Sequence, residues 1–253
     1  MLSGKVPAER DGSVLIGLAH GSRHVRVADG VEAVLAATSL LSGVETRPAY
    51  LDLTEPDLEA VAADLAASGA RRAVVVPLLF TDAFHTRIDV PDAVGRAAER
   101  AGVELVLAPI LGTGDDVADV VADRLSATGT TAAEPILLYA VGSSRPDANA
   151  AVADLAERLA ARRGTPVRAG FGTTEPRAAD VLAELTAISE QQGTTEQPGT
   201  VVPLFVAPGL LLDNIAPTVA SAGWRLAEPL GTLLAPVVSD RYHAALGVAV
   251  RLR

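Results

Sequence analysis

The stretch VLIGLAHGSR, at residues 14–23, is followed later in the chain by ILLYAVGSSR, at residues 136–145. In both stretches an apolar run leads into a turn that contains Gly and Ser. Short apolar runs that end in turn residues are typical of buried strands. Because the strand and the turn recur together, the sequence predicts a chain built from two similar halves.

Strands and helices alternate along the first half. Apolar runs at 47–51, 73–79 and 103–108 predict further strands, and the segments between strands have helical periodicity. One helix has a start signal, with Thr54 as the predicted N-cap and Pro56 in the first turn. This alternation predicts a parallel sheet with helices on both faces. The predicted apolar helix faces are Val27, Val31, Val34, Leu35, Thr38 and Leu41 in one helix, Leu58, Val61, Ala62 and Leu65 in the next, and Val117, Val120, Val121 and Leu125 in a third.

Other short motifs of the first half recur in the same order in the second. They predict an α/β fold of two Rossmann-like halves, each a parallel sheet flanked by helices, with a cleft between the halves. We expect an N-terminal half at 1–128 and a duplicated C-terminal half at 135–253, joined by the polar segment 128–134. The recurring pairs are TEP at 54–56 and 174–176, VPL at 76–78 and 202–204, LGT at 111–113 and 230–232, and Pro91 with Pro217.

The composition and charge of the chain exclude several classes of function. The chain has no cysteine, which excludes disulfides, thiol nucleophiles and thiolate-bound metals. Its formal net charge of −10 disfavours binding to nucleic acid and to anionic membranes. No apolar run is long enough to span a bilayer, and the first residues lack the apolar core of a signal peptide. We therefore expect a cytoplasmic globular protein with neither nucleic acid nor membrane as a partner.

Two histidines of the first half are replaced by aliphatic residues in the second. His20 follows the strand at 14–19 and corresponds to Val141, whereas His85 follows the third strand and corresponds to Leu211. A single His at the end of a strand is more often a hydrogen-bonded structural residue than a ligand. The loss of both imidazoles at equivalent positions favours a function for the pair. We expect the first half to be chemically active and the second to be scaffold and cleft wall.

Asp52 is a third candidate, near the end of the strand at 47–51. Ligands of open parallel sheets bind outside the carboxyl ends of the strands, so His20, His85 and Asp52 are predicted to converge on one crevice. Imidazole is a good ligand for ferrous iron, cobalt and nickel, and near neutral pH it also accepts protons. The three residues are therefore a candidate metal site, although Asp52 can equally be interpreted as a turn cap.

A local basic cluster accompanies the histidines in an otherwise acidic chain. Arg23, His24 and Arg26 follow His20, and Arg87 follows His85. A solvated helix start is the common interpretation of such a cluster. However, cations near a helix N-terminus oppose the helix dipole unless an anion lies there, which favours an anionic ligand. His24 itself is expected at the surface, as is His243.

Three blocks of the sequence, in order, resemble one known family. The block AHGSR at 19–23 is similar to the His-Gly-Ser-Arg opening of the sirohydrochlorin chelatases, the class II chelatases of siroheme and cobalamin synthesis. The block at 76–91 resembles that family's second His block, and YLDLTEP at 50–56 resembles its Phe-Leu-Glu segment, with Asp52 in place of the Glu. The resemblance covers essentially the whole chain, because the long, duplicated members also keep their histidines in the N-terminal half.

The resemblance implies a lyase that inserts a divalent metal into an anionic tetrapyrrole. His20 and His85 would be the catalytic pair, and these two residues with Asp52 would hold the metal. No cofactor would be bound permanently, because Fe²⁺ or Co²⁺ would be a substrate. The carboxylates of sirohydrochlorin would bind to Ser22, Arg23, Thr86, Arg87 and Arg145, and Val141 and Leu211 would form a wall against the ring.

Several functions stay open at this point. The leading one is a sirohydrochlorin ferrochelatase that produces siroheme, and the second is a sirohydrochlorin cobaltochelatase of cobalamin biosynthesis. A non-catalytic metal or tetrapyrrole carrier belongs to a different class, since it would bind without turnover. A sugar- or nucleotide-binding α/β module would require the two histidines to be coincidental. Because one chain would supply both walls of the cleft, a monomer is expected.

Overall fold

The first half of the chain forms a four-stranded parallel sheet with the strand order β2-β1-β3-β4. The computed structural model describes residues 13–81, 84–191 and 198–247, and the side chains of residues 84–88 lie outside this description. The strands are β1 (Val14–Ala19), β2 (Thr46–Tyr50), β3 (Arg72–Pro77) and β4 (Glu104–Leu107), and the helices are α1 (Arg26–Ser42), α2 (Leu58–Ala67), α3 (Phe84–Ala101) and α4 (Asp115–Ala127).

The second half repeats this order of elements. Its four-stranded parallel sheet has the order β6-β5-β7-β8, so β5 occupies the place of β1 and β7 that of β3. The strands are β5 (Ile136–Ala140), β6 (Val167–Phe171), β7 (Thr200–Pro203) and β8 (Arg225–Leu226), and the helices are α5 (Pro146–Arg163), α6 (Ala178–Gln191), α7 (Leu210–Ser221) and α8 (Ala235–Ala245), the last preceded by a 3₁₀ turn at Gly231–Leu234.

The predicted fold class is confirmed, with two local corrections. Thr54 is not the N-cap of α2, because Asp57 holds that place and its carboxylate accepts a hydrogen bond from the Ala60 N–H at 2.7 Å. Leu41 is 59% exposed rather than buried, because it lies at the edge of the apolar stripe of α1. The predicted stripes of α2 and α4 are fully buried, as are Val31, Val34, Leu35 and Thr38 of α1.

The last helix of each half packs on the other half. α4 contacts β7 and α5 of the second half, and α8 contacts β3 and α1 of the first. Leu125 of α4 and Val238 of α8 are completely buried, and they belong to one hydrophobic cluster that includes residues of both sheets. The two sheets therefore share a core. Each half also has a hydrophobic cluster of its own, and the division at 1–128 and 135–253 stays a prediction for the chain's domains.

Hydrogen bonds hold α4 and α8 on the opposite halves. Arg124 of α4 donates to the Leu230 carbonyl at 3.0 Å. Arg241 of α8 donates to the carbonyl of Leu111, the counterpart of Leu230, and to the Ile110 carbonyl at 2.8 Å. The Tyr242 hydroxyl donates to the Ser13 carbonyl, also at 2.8 Å. The two arginines make equivalent contacts in opposite directions, so the duplication extends to the way in which the halves are joined.

The described helices include none that is both long and apolar enough to cross a membrane.

The shared core predicts that the two halves unfold together. Leu125→Ala should lower the free energy of unfolding by about 2–5 kcal/mol, because it opens a cavity in the joint core, and the urea transition should stay single. Leu40→Ala, at an α1 position that is 89% exposed, is the matched control. It should change the free energy of unfolding by about 0.5 kcal/mol or less. Two separate transitions in the parent protein would contradict a shared core.

Candidate functional site

A cleft of about 570 Å³ lies between the two halves. It is formed where the central strands of both sheets end, which is the usual place for ligands in open parallel sheets. Most of the residues that line the cleft are apolar, so the cleft suits a ligand with large apolar faces. The lining comprises 19–22 after β1, 78–81 after β3, 140–144 after β5 and 204–211 after β7, with Val27, Val31, Leu51, Asn149, Val152 and Phe171.

His20 lines this cleft directly after β1. The hydrogen-bonded ladder between β1 and β2 continues to this residue, because the Asp52 N–H donates to the His20 carbonyl at 3.0 Å. Its side chain is exposed. The end of a central strand therefore holds the backbone of His20 rigidly while its side chain is presented at the cleft.

Gly21 makes the turn after His20. Its φ is +90°, in the left-handed region that favours glycine. A Cβ on Gly21 would lie 1.8 Å from the carbonyl oxygen of Asp52. The chain after His20 thus packs on the backbone of Asp52 at a separation that only glycine permits.

Thr54 holds the next residue of the loop. The Ser22 N–H donates to Thr54 Oγ1 at 2.9 Å, and the Thr54 hydroxyl donates to the Ser22 carbonyl at 2.9 Å. In the second half Asn149 does the same for Ser143, with both bonds at 2.8 Å. The repeat of the TEP motif does not predict this function of Thr54, because Asn149 rather than Thr174 makes the equivalent bonds in the second half.

Of the three predicted metal ligands, the structure describes the side chains of His20 and Asp52. Asp52 is exposed, stands outside the cleft lining, and accepts the Leu53 N–H at 2.8 Å. His85 lies in the first turn of α3, and its side chain is outside the described residues. Among the side chains that are described, no three His, Asp or Glu form a group that could hold a metal. The set of His20, His85 and Asp52 therefore stays a prediction, supported by the adjacency of β1 and β3.

The counterparts of the two histidines line the same cleft. Val141 is 45% exposed, and its carbonyl accepts a hydrogen bond from Thr173 Oγ1 at 2.8 Å. The carbonyl of Leu211 is held by the Tyr139 hydroxyl at 3.1 Å. One side of the cleft therefore carries an imidazole and the other presents aliphatic side chains.

The basic cluster is partly neutralised within the protein. His24 Nε2 lies 2.9 Å from one carboxylate oxygen of Asp213, and Arg26 donates to the other at 2.8 Å. α7 therefore supplies an anion for these two residues, and the anionic ligand that the cluster favours stays a prediction. The His24 side chain is 11% exposed and His243 is half-buried in α8, so both are partly covered at the surface where they are expected.

The predicted substrate-binding residues are placed differently from one another. Ser22 lines the cleft, and Arg23 is exposed next to it. Arg145 stands outside the cleft lining and pairs with Asp147, and the hydrogen bond from Arg145 lowers the pKa of that carboxyl. The side chains of Thr86 and Arg87 fall outside the described residues. All five assignments stay predictions.

A sequence model of the CbiX family matches both halves, at residues 14–128 and 135–245. The chain belongs to the CbiX family. Its match to that family occurs twice, in agreement with the duplication and with the two equivalent sheets.

Relatives of this CbiX chain include chelatases for two metals. It is 27% identical over 203 residues to the sirohydrochlorin ferrochelatase of Bacillus subtilis, which covers 78% of this chain and 75% of that protein. It is 29% identical over 86 residues to a sirohydrochlorin cobaltochelatase of Saccharolobus islandicus. That match covers 31% of this chain and 67% of the relative.

A solved structure shares the fold of this CbiX chain. The sirohydrochlorin chelatase SirB from Bacillus subtilis subspecies spizizenii, in complex with cobalt, superimposes with a TM-score of 0.74. The match has 22% sequence identity and covers 92% of this chain and 94% of SirB. The fold is therefore shared over nearly the whole length of both chains.

The turn after His20 gives a sharp prediction for stability. Gly21→Ala should cost about 2 kcal/mol or more, because the added Cβ meets the Asp52 carbonyl and the left-handed φ is strained for alanine. Gly95→Ala is the matched control, since nothing lies within 4 Å of a Cβ there and Gly95 is in α3. Because alanine favours helix more than glycine does, Gly95→Ala should raise the free energy of unfolding by up to about 1 kcal/mol. Equal urea midpoints for the two variants would show that Gly21 is not constrained as described.

Proposed function

We propose that this protein is a sirohydrochlorin chelatase of the lyase class that inserts Fe²⁺ into sirohydrochlorin to give siroheme. The observation that carries the proposal is the position of His20 in a mostly apolar cleft. Val141 and Leu211, which correspond to His20 and His85 in the second half, line the same cleft. Membership of the CbiX family and the names of the relatives supply the substrate class.

The chemistry of metal insertion fits an imidazole in such a cleft. A divalent metal must lose its bound waters, two pyrrole protons must leave the ring, and the four ring nitrogens must face the metal. A neutral imidazole can bind Fe²⁺ or Co²⁺ and can accept a proton. A site with few protein ligands also releases the metal more readily than a closed site of four thiolates, and the chain has no cysteine to build the latter.

In the proposed site His20 and His85 together hold the metal and accept the pyrrole protons. Each imidazole does one of these at a time, because a neutral ring has a single basic nitrogen. Asp52 is joined to His20 through the backbone and is one methylene shorter than the Glu of the resembled family, so we assign it to the attraction of the hydrated cation rather than to direct coordination. The metal is a substrate in this scheme, and no permanently bound cofactor takes part.

The tetrapyrrole is proposed to lie with its apolar ring between the walls of the cleft and its carboxylates at the rim. Val141 and Leu211 contact one face of the ring, and His20 approaches from the other wall. Ser22 and Arg23 are the described residues best placed to meet a carboxylate, since both belong to the loop that carries His20.

Cobalt insertion is the second candidate. It is favoured by the identity with a cobaltochelatase over the 86 residues given above and by the fold shared with a cobalt-bound chelatase. Imidazole ligands suit both metals, so the metal preference has to be measured.

Anaerobic insertion of Fe²⁺ and Co²⁺ into sirohydrochlorin, followed by absorbance, tests the proposal. The parent protein should accelerate insertion, and the ratio of the two kcat/KM values should favour iron. His20→Ala should reduce kcat at least about 100-fold, as expected for the loss of a group that transfers a proton. His243→Ala, which removes an imidazole outside the cleft, should leave the rate close to that of the parent. Stoichiometric ring or metal binding without acceleration would replace the enzyme with a carrier.

A further inference from the structure

A single carboxylate joins the two halves beside the cleft. Asp213, in the first turn of α7, accepts from His24 Nε2 at 2.9 Å with one oxygen and from Arg26 at 2.8 Å with the other. Both donors belong to the first half, at the start of α1. Two contacts to one carboxylate define its position better than a single ion pair does.

The backbone around His24 defines how its ring is used. The Arg26 N–H donates to His24 Nδ1 at 3.3 Å, so that nitrogen is the acceptor and Nε2 carries the hydrogen that points to Asp213. The His24 side chain is 11% exposed, whereas Arg26 and Asp213 are about half exposed. The contact as a whole is exposed on its Asp213 side, so its strength comes from the two bonds together rather than from burial.

On the first half, this contact is connected to the loop that carries His20. The His24 N–H donates to Ser22 Oγ at 3.1 Å, and the backbone of Ser22 is held on both sides by Thr54. The loop 20–24 is thus anchored by Thr54 from its own half and by Asp213 from the other half.

On the second half, the backbone of Asp213 is joined to the opposite wall. The Asp213 N–H donates to the Gly209 carbonyl at 3.1 Å, and Gly209, Leu210 and Leu211 all line the cleft. Close packing accompanies the contact, because a Cβ on Gly30 of α1 would lie 2.5 Å from the Cβ of Ala207. The start of α1 therefore lies directly against the cleft-lining segment after β7.

We propose that Asp213 is a positioning residue that sets the distance between the His20 loop and the wall at 209–211. Its carboxylate touches no reacting atom and acts through His24 and Arg26. Without the carboxylate the two walls separate more often, and His20 meets the bound ring less often in the geometry for insertion. The kinetic part of this inference rests on the proposed chelatase function, whereas the structural part does not.

The structural part can be measured without substrate. The chain has no cysteine, so Ala63→Cys and Ala183→Cys, at exposed positions of α2 and α6, allow two spin labels to report the separation of the halves. Asp213→Asn in this background should broaden the distance distribution toward longer values. Asp154→Asn, at an exposed position of α5, is the matched control and should leave it unchanged. Identical distributions for all three proteins would overturn the proposal.

The kinetic part uses the anaerobic insertion assay. Asp213→Asn should lower kcat about fivefold, as expected when the exposed Arg26 ion pair and the His24 hydrogen bond are both weakened, with a smaller change in KM. Asp213→Glu should recover part of the loss. Arg26→Gln combined with Asp213→Asn should be no slower than Asp213→Asn alone, because both changes break the same contact.

The two assays separate this proposal from the proposed function. If the parent protein inserts no metal, the chelatase function fails while the spin-label distances still decide whether Asp213 sets the cleft. If the parent is active and Asp213→Asn matches Asp154→Asn in kcat, the positioning role of Asp213 is wrong and the chelatase function stands.

Discussion

The rest of the structure depends on the packing of α4 and α8, because each of these helices packs on the half to which it does not belong in sequence. Each helix buries its apolar stripe against the half to which it does not belong in sequence, so the two sheets share one hydrophobic cluster. Arg124 and Arg241 then fix these helices through carbonyls of the opposite half. Because the two halves are joined in this way, the carboxyl ends of β1, β3, β5 and β7 are brought around the same cleft.

The duplication supplies the shape of the site, and the differences between the halves supply its chemistry. Equivalent strand ends carry His20 in one half and Val141 in the other, and both line the cleft. The loops that follow are each held by a side chain that bonds to the backbone of a Ser, Thr54 for Ser22 and Asn149 for Ser143. The two halves therefore hold their loops in the same way, whereas only the first half carries an imidazole at this position. A single reactive wall against an apolar wall suits a flat ring better than two equivalent walls would.

Much of the fold could be predicted from the sequence, because it depends on local patterns. The strand at 14–19 has the predicted bounds, and the apolar stripes of α2 and α4 follow from helical periodicity. The placement of His20 at the cleft also follows from its position after a strand. The partners of Thr54 and of His24 could not be predicted, because Ser22 and Asp213 lie 32 and 189 residues away from them in the sequence. Such contacts depend on how strands and halves are arranged in three dimensions, which no local pattern encodes.

In the proposed function, a divalent metal binds beside His20 in the cleft between the halves. A crystal of the protein soaked with Co²⁺, measured at wavelengths on both sides of the cobalt absorption edge, would locate the metal by its anomalous scattering. We expect a peak in the cleft with the His20 imidazole as a ligand, and no such peak in His20→Ala. A peak that persists in the cleft of His20→Ala, or cobalt bound only at a surface carboxylate or at His243, would contradict it.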